Sequence, residues 1–326
     1  MRSPFADCEA HIYKEYRTTK VRGEEFTFLF IGYKCDMTGE IFTTMEQEDA
    51  NLNQVYNQYR DAHNIPYAHE IHSIRKAYGI SASKMAQILG WGDNQYRLYE
   101  NGDIPSVNNG KQLRAIQNPS IFCAYVDMSQ LSKDDKASIK HKAMNSRYAM
   151  SDEERFVHGM IFGCTQGCYD GYTAQSLSKL KNTMLFFIGK IGNVFQTKMN
   201  KLLFYADFLS YKRYAHGITG LAYVAQRFGP VPQNWDKVFS LTEDITKDVI
   251  KCDNGNEGFI LTSDMPYDAN EFTPEELSVL DAVADRFAQC SPSQISDISH
   301  LEDGWKDNVE GHRLIDYSYA FSLKAV

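Results

Sequence analysis

Apolar residues recur at helical spacing in several stretches, most densely over residues 199–214. Met199, Leu202, Leu203, Ala206 and Leu209 mark one stripe, and Phe204, Phe208 and Tyr211 widen it, which predicts a helix buried inside a domain. Gly217 is the expected stop, because glycine accepts the left-handed geometry that ends helices. Leu221–Ala225 reads as a short strand, and Gly229, Pro230 and Pro232 as a rigid turn closed to regular structure. A helix starting near Ala174, with Leu177, Leu180, Met184, Phe187 and Ile188 on its apolar side, is expected to pack on the 199–214 helix. Val249–Cys252 and Phe259–Thr262 read as strands around an Asn254-Gly255 turn, and are expected to join Leu221–Ala225 in one small sheet. Thr273-Pro274-Glu275-Glu276 combines a cap, an N1 proline and an N3 glutamate, followed by Leu277, Leu280, Val283, Ala284 and Phe287 on one face; Ser291-Pro292-Ser293-Gln294 repeats the start signal.

The front of the chain is patterned differently. Residues 1–45 predict a small antiparallel sheet, with Gly23 at a turn and Phe26–Tyr33 rich in strand formers. Residues 46–67 are polar and helical, with Leu52, Val55, Tyr56 and Tyr59 on one side, and Pro66 ends the helix. Then come a helix with Ile71, Ile74 and Tyr78 inward, a stop at Gly79, a cap at Ser81 or Ser83, and a second helix burying Met85, Ala86, Ile88 and Leu89. Gly90-Trp91-Gly92 makes a tight turn into a short helix, Asp93–Glu100, with Tyr96 and Tyr99 inward. Helix, glycine turn and short helix follow the helix-turn-helix plan. Residues 119–160 read as a connector: a short apolar helix from Pro119 with Ile121, Phe122, Tyr125 and Val126, then a mostly polar run that is a long exposed helix or a linker.

The expected fold is mainly α with small β elements (α+β). It comprises an N-terminal antiparallel sheet with its helix (1–67), a helix-turn-helix domain of five-helix type (68–118), the connector (119–160) and a C-terminal helical domain with a short sheet (161–326). A chain of 326 residues holds two or three such domains. The net charge of −8 is uneven: from Leu241 to Val326 there are 18 acidic and 6 basic residues, and the rest of the chain sums to +4. The acidic tail is a solvated surface or a surface complementary to a basic partner, and it repels nucleic acid. Residues 68–118 carry six Lys/Arg against four Asp/Glu, a weak non-specific pull that calls for two copies on a two-fold site. No apolar run is long enough to cross a bilayer, no apolar leader opens the chain, and seven cysteines without regular spacing fit a reduced cytoplasm.

Candidate chemistry is sparse. No phosphate loop, nucleophile elbow, zinc-protease helix or dinucleotide fingerprint is present, so no enzyme activity and no cofactor are expected. Cys8-x-x-His11 and Cys35-x-x-Thr38 stand where a zinc ribbon has two ligand pairs. Thr38 is no ligand, and Cys8, His11 and Cys35 are one short of a structural zinc site, so the reading is a metal-free relic held by packing. Cys164 and Cys168 read as two buried or partly buried thiols. His300 and Glu302 point to different sides of a helix, and a capping histidine with a core Trp305 explains them. Asp207, in an aromatic helix, needs a partner: Arg213, Arg227 or His216 inside the domain, or a basic residue of another protein.

KLLFYADFLSYKR (201–213) followed by GITGLAYVAQRFGPVP (217–232), with Ser299, His300, Glu302 and Trp305 farther on, resembles the Panacea, or SocA-like, antitoxin domain. The resemblance covers about the last half of the chain. It implies a domain that binds and neutralises a cognate toxin protein without catalysis, with Tyr205, Asp207, Tyr211, Arg227, Phe228, His300 and Trp305 as candidate toxin-binding residues. Residues 68–118 resemble the Cro/repressor helix-turn-helix, and residues 1–118 together resemble MqsA-type antitoxins whose zinc ribbon has degenerated. That implies operator DNA as a second partner, a homodimer formed through the N-terminal half, and autorepression. Asn94, Gln95 and Arg97 suit base edges and Lys84 suits a phosphate. The alternative is a transcription regulator whose C-terminal domain senses a ligand or serves as a protease adaptor.

Overall fold

Arg22 and Gly23 both sit at positive φ (48° and 92°), and this two-residue turn matches the twist of the strands it joins. It sets an antiparallel hairpin of β1 (Ala10–Val21) and β2 (Glu24–Cys35), in register from Val21↔Glu24 to Ala10↔Cys35, with β3 (Ile41–Phe42) added beside β2. The computed structural model describes residues 1–146, 148–163, 167–251 and 257–326. α1 (Met45–Ala62) docks on β2 through amides rather than through a pure apolar stripe. Asn51 Nδ2 donates to Ile31 O (2.8 Å) and Ile31 N donates to Asn51 Oδ1 (2.9 Å), while Gln54 makes the same pair of bonds with Leu29. Leu52, expected on the apolar side, is instead 46% exposed.

The chain continues through α2 (Ala68–Ala77), α3 (Ala82–Leu89), α4 (Gln95–Glu100), α5 (Val107–Ala115), α6 (Pro119–Met128), α7 (Lys133–Met144) and α8 (Asp152–Phe162). Ser81 caps α3, its hydroxyl accepting from Lys84 N, and Gly90 (φ 72°) ends it. α9 (Leu177–Ile191), β4 (Val194–Phe195), α10 (Gln196–Tyr214), β5 (Tyr223–Gln226), β6 (Gly229–Pro232), α11 (Trp235–Leu241), β7 (Thr246–Lys251), β8 (Glu257–Thr262), α12 (Pro274–Phe287), α13 (Pro292–Ser299) and α14 (Asp303–Lys306) follow. This is a mainly helical α+β fold with small antiparallel sheets. No helix among the described residues is long and apolar enough to cross a membrane.

Packing divides the chain into two units, residues 1–55 with 157–326, and residues 56–156. The first sheet thus groups with the C-terminal half, where Lys14 Nζ donates to the Phe321 carbonyl. In the 56–156 unit, Ile71, Ile74, Tyr78, Met85, Ile88, Tyr96 and Leu113 share one core with Phe122, Val126, Ile139 and Ala143. Residues 119–143, read as connector from their polar surface, are therefore part of that core. Ile139 and Ala143 are the i, i+4 pair by which the polar α7 joins it.

The C-terminal half departs from expectation in three places. α10 ends at Ala215, which itself takes the left-handed conformation (φ 57°), two residues before Gly217. Gly229–Pro232 is a strand rather than a turn, paired with β5 from Gln226↔Gly229 to Tyr223↔Pro232. The prolines fit because the opposite residues turn their polar groups the other way: Ala225 N donates to Arg313 O (3.1 Å), and Tyr223 O accepts from Ile315 N (2.8 Å). Pro230 and Pro232 face these positions and need no N–H. β7 and β8 pair with β4, not with β5. The Asn254-Gly255 turn, Cys164 and the end of the strand read to Cys252 lie outside the described residues. The capping boxes at Thr273–Glu276 and Ser291–Gln294 form as expected.

If residues 119–143 belong to the core, Phe122→Ala, which empties a fully buried site stacked on Tyr78 at 4.2 Å, lowers the unfolding free energy of the 56–156 unit by about 3–5 kcal/mol. Urea unfolding read by circular dichroism measures it; a change below about 1 kcal/mol would return the segment to connector status.

Candidate functional site

Every residue of α10 from Lys198 to Tyr211 is buried, so this helix is the axis of the C-terminal domain, with α9, α12, α13, β6 and the 3-10 turn at Tyr317–Ser322 packed around it. A helix enclosed on all sides must settle its polar groups internally. Asp207 accepts four hydrogen bonds: from Ile218 N (2.7 Å), Thr219 N (2.8 Å), the Thr219 hydroxyl (2.5 Å) and the Tyr223 hydroxyl (2.6 Å). Burial pushes its carboxyl above the ordinary range, and the Thr219 and Tyr223 bonds pull it back. None of the cations proposed for it, Arg213, Arg227 or His216, is its partner; His216 Nδ1 meets Gly217 O at 2.9 Å. Asp207 therefore folds the 217–223 loop back over α10 and delivers the chain into β5.

Lys201, two turns earlier, has no such settlement. It is fully buried, its Nζ has no hydrogen-bond partner among the described residues, and burial alone lowers its amine to about 7. It lies against Gly229 at the start of β6. A Cβ at residue 229 would come within 2.7 Å of Lys201 Cε and 2.3 Å of Ser299 Oγ, and φ there is 101°, so only glycine fits. His300, the residue after Ser299, stacks on Trp305 with ring centroids 4.1 Å apart. Its buried Nε2 is also without a partner among the described residues, and its pKa falls through burial first and the charge of Lys201 second. Trp305 Nε1 donates to Gln226 O (2.8 Å), which holds this stack beside the β5–β6 turn. At that turn Arg227 and Phe228 face outward, Phe228 65% exposed with the guanidinium 5.4 Å from its ring centroid.

The sequence candidates thus divide. Arg227, Phe228, His300 and Trp305 come together around the turn; Trp305 is half-buried rather than core. Tyr205, Asp207 and Tyr211 lie in the interior. The Tyr205 hydroxyl donates to Glu302 Oε1 (3.2 Å), and Tyr211 packs on Tyr317 and Phe321. Glu302 also accepts from Lys324 N (2.9 Å) and Ala325 N (3.1 Å), fastening the 317–326 segment across α10. Lys201 escaped the sequence reading because a count of apolar positions passes over a lysine; its signal was a cation directly before the LLFYA run, in a stretch of helix with no polar face.

In the 56–156 unit, Asn94 and Arg97 are exposed on and beside α4, Gln95 is half-buried, and Lys84 is held by Asp135 (3.0 Å). Of the three weak metal candidates, His11 pairs with Asp36 (2.9 Å), while Cys8 and Cys35 lie against each other. Among the described residues no group of three or more His, Cys, Asp or Glu side chains is placed to hold a metal ion.

A family model described as Antitoxin SocA-like, Panacea domain, matches residues 199–306, a span that opens inside α10 and closes on α14. No curated protein and no solved structure matches the chain. The matched span contains Lys201, Asp207, the β5–β6 turn and the His300–Trp305 stack.

Lys201 sets a pH dependence. Its amine falls from the usual lysine range to about 7 on folding, so the unfolded chain binds more protons between about pH 7 and pH 10 and stability rises with pH across that window. Lys201→Met is expected to be more stable than the parent by about 3 kcal/mol at pH 6, the gap closing towards pH 10, as read by urea midpoints at both values. Asp207→Asn moves the other way at pH 7, losing about 2–4 kcal/mol because donors aimed at a carboxylate meet an amide.

Proposed function

We propose that the chain is the antitoxin of a toxin–antitoxin pair, and that its C-terminal domain neutralises a cognate toxin by covering it. The match of residues 199–306 to the Panacea domain carries this reading. The geometry supports the β5–β6 turn as the place of contact, because an exposed aromatic with an arginine over it, backed by the His300–Trp305 stack, is the kind of rigid anchor on which binding energy concentrates. Tyr205, Asp207 and Tyr211 act in this reading from below, by holding the surface in shape. The acidic stretch from Leu241 onward favours a basic toxin.

The second half of the proposal is autorepression. The α3–turn–α4 segment would enter the major groove of operator DNA as a helix-turn-helix, with Asn94, Gln95 and Arg97 on base edges, in a homodimer formed through the N-terminal half in the cytoplasm. Arg97 is the best placed of these, since it is exposed and has no ion pair among the described residues. Lys84 would have to leave Asp135 to reach a phosphate. One observation favours a second reading: the nitrogens of Lys201 and His300, unpartnered among the described residues, suit an acidic small ligand, which would make the domain the sensing half of a transcription regulator.

Co-expression with the product of the neighbouring gene is expected to restore growth, and the two proteins to co-purify. Phe228→Ala or Arg227→Ala weakens the complex by about 1–3 kcal/mol, roughly ten- to a hundredfold in Kd, without changing the circular dichroism spectrum. Rescue that survives both changes undiminished refutes the turn as the contact, and absence of any complex refutes the antitoxin reading. On operator DNA, Arg97→Ala costs about 1–3 kcal/mol in a gel-shift titration and Lys84→Ala costs less.

A further inference from the structure

The two cysteines left from the ribbon-like spacing are in direct contact: Cys8 Sγ and Cys35 Sγ are 3.4 Å apart. Backbone bonds around them fix this approach. Asp36 N donates to Glu9 O (3.2 Å), which extends the β1–β2 pairing past its last strand residues, while Ser3 N donates to Cys8 O (2.9 Å) and Cys35 N to Glu40 O (2.9 Å) in the segments on either side. Among the described residues no other two cysteines touch. Cys35 is buried and Cys8 half-exposed, so a solution reagent meets Cys8 first. Hydrogen bonds from the Ser3 and Thr38 hydroxyls and the Thr38 N–H draw the Cys35 thiol down to about 6, while burial raises Cys8. At neutral pH the inner sulfur is therefore largely thiolate, the form that attacks an oxidised neighbour.

We propose that Cys8 and Cys35 are a reversible oxidation site, a dithiol that a hydroperoxide converts to a disulfide across the open end of the first hairpin. Cys35 takes up the Cys8 proton across the sulfur contact, the Cys8 thiolate accepts one oxygen as the peroxide O–O bond breaks, and the proton passes on to the departing oxygen, leaving a sulfenic acid and the alcohol, or water when the oxidant is hydrogen peroxide. The Cys35 thiolate attacks Cys8 Sγ, the S–O bond breaks, and hydroxide leaves with the proton that Cys35 had given up, as water. A thiol reductant returns both sulfhydryls by exchange. The site is independent of the antitoxin reading. His11, turned to Asp36, and Thr38, which donates its N–H to Cys35 Sγ, take no part in bonding the oxidant.

The test uses the full chain. Reduced protein is treated with stoichiometric hydrogen peroxide at pH 7, free thiols are alkylated under denaturing conditions, and peptides are mapped by mass spectrometry. Two of the seven thiols are expected to disappear, in a peptide pair joined through Cys8 and Cys35 that dithiothreitol separates. Cys35→Ser is expected to leave Cys8 as a sulfenic acid that dimedone captures, and Cys8→Ser to slow oxidation of Cys35 by about tenfold or more. Mapping of the parent protein decides the matter even if a variant fails to fold. Retention of all seven thiols, linkage through other cysteines, or a stoichiometric zinc ion that must be chelated before either sulfur reacts overturns the proposal.

Discussion

The C-terminal domain depends on one buried carboxylate. Asp207 sits on a helix with no exposed side and gathers two backbone N–H groups and two hydroxyls from the segment that follows. Without that anchor the 217–223 loop would have no reason to fold back over α10, and β5 would not reach the position where Tyr223 and Ala225 bond the 313–315 segment. Gly217 belongs to the same arrangement. A Cβ there would press on Thr173 and Asp207 at 3.1 and 3.3 Å, so the residue keeps the loop close to the carboxylate instead of ending the helix.

Lys201 is the counterpart of Asp207 in the same helix. One buried group is fully bonded and the other has no partner among the described residues, although the two lie less than about two turns apart. A fold selected for stability alone would place a methionine or leucine at 201. The amine stands beside the only residue type that fits at 229 and next to the His300–Trp305 stack. Glu302 joins the stack to the interior, since it bonds Tyr205 below and the backbone of Lys324 and Ala325 above.

Much of the fold is legible in the chain because its local signals agree with its packing. The apolar spacing of α10, the capping boxes at Thr273 and Ser291, and the glycines at 23 and 90 each have one reading, and the structure has it. The misses have physical causes. Prolines at 230 and 232 look like a break until the hydrogen-bonding side of each strand residue is known. Residues 119–143 look like a connector because Phe122, Val126, Ile139 and Ala143 are few among many charges, yet these four side chains suffice to join the segment to the core. Long-range partners were the least legible: Asp207 bonds groups eleven to sixteen residues on, and nothing in the spacing of carboxylates predicts which backbone amides will face them. The candidate site was half visible, through Arg227, Phe228, His300 and Trp305, while Lys201 needed the structure.

The two prolines of β6 have a consequence for timing. With φ fixed at both positions and Trp305 clasping Gln226 O, the Arg227–Phe228 tip has little torsional freedom to surrender when something lands on it. On the proposed reading, such a tip meets its counterpart already in the docked shape, so encounter would be limited by diffusion and orientation rather than by rearrangement, and residence time would be the quantity that evolution can adjust.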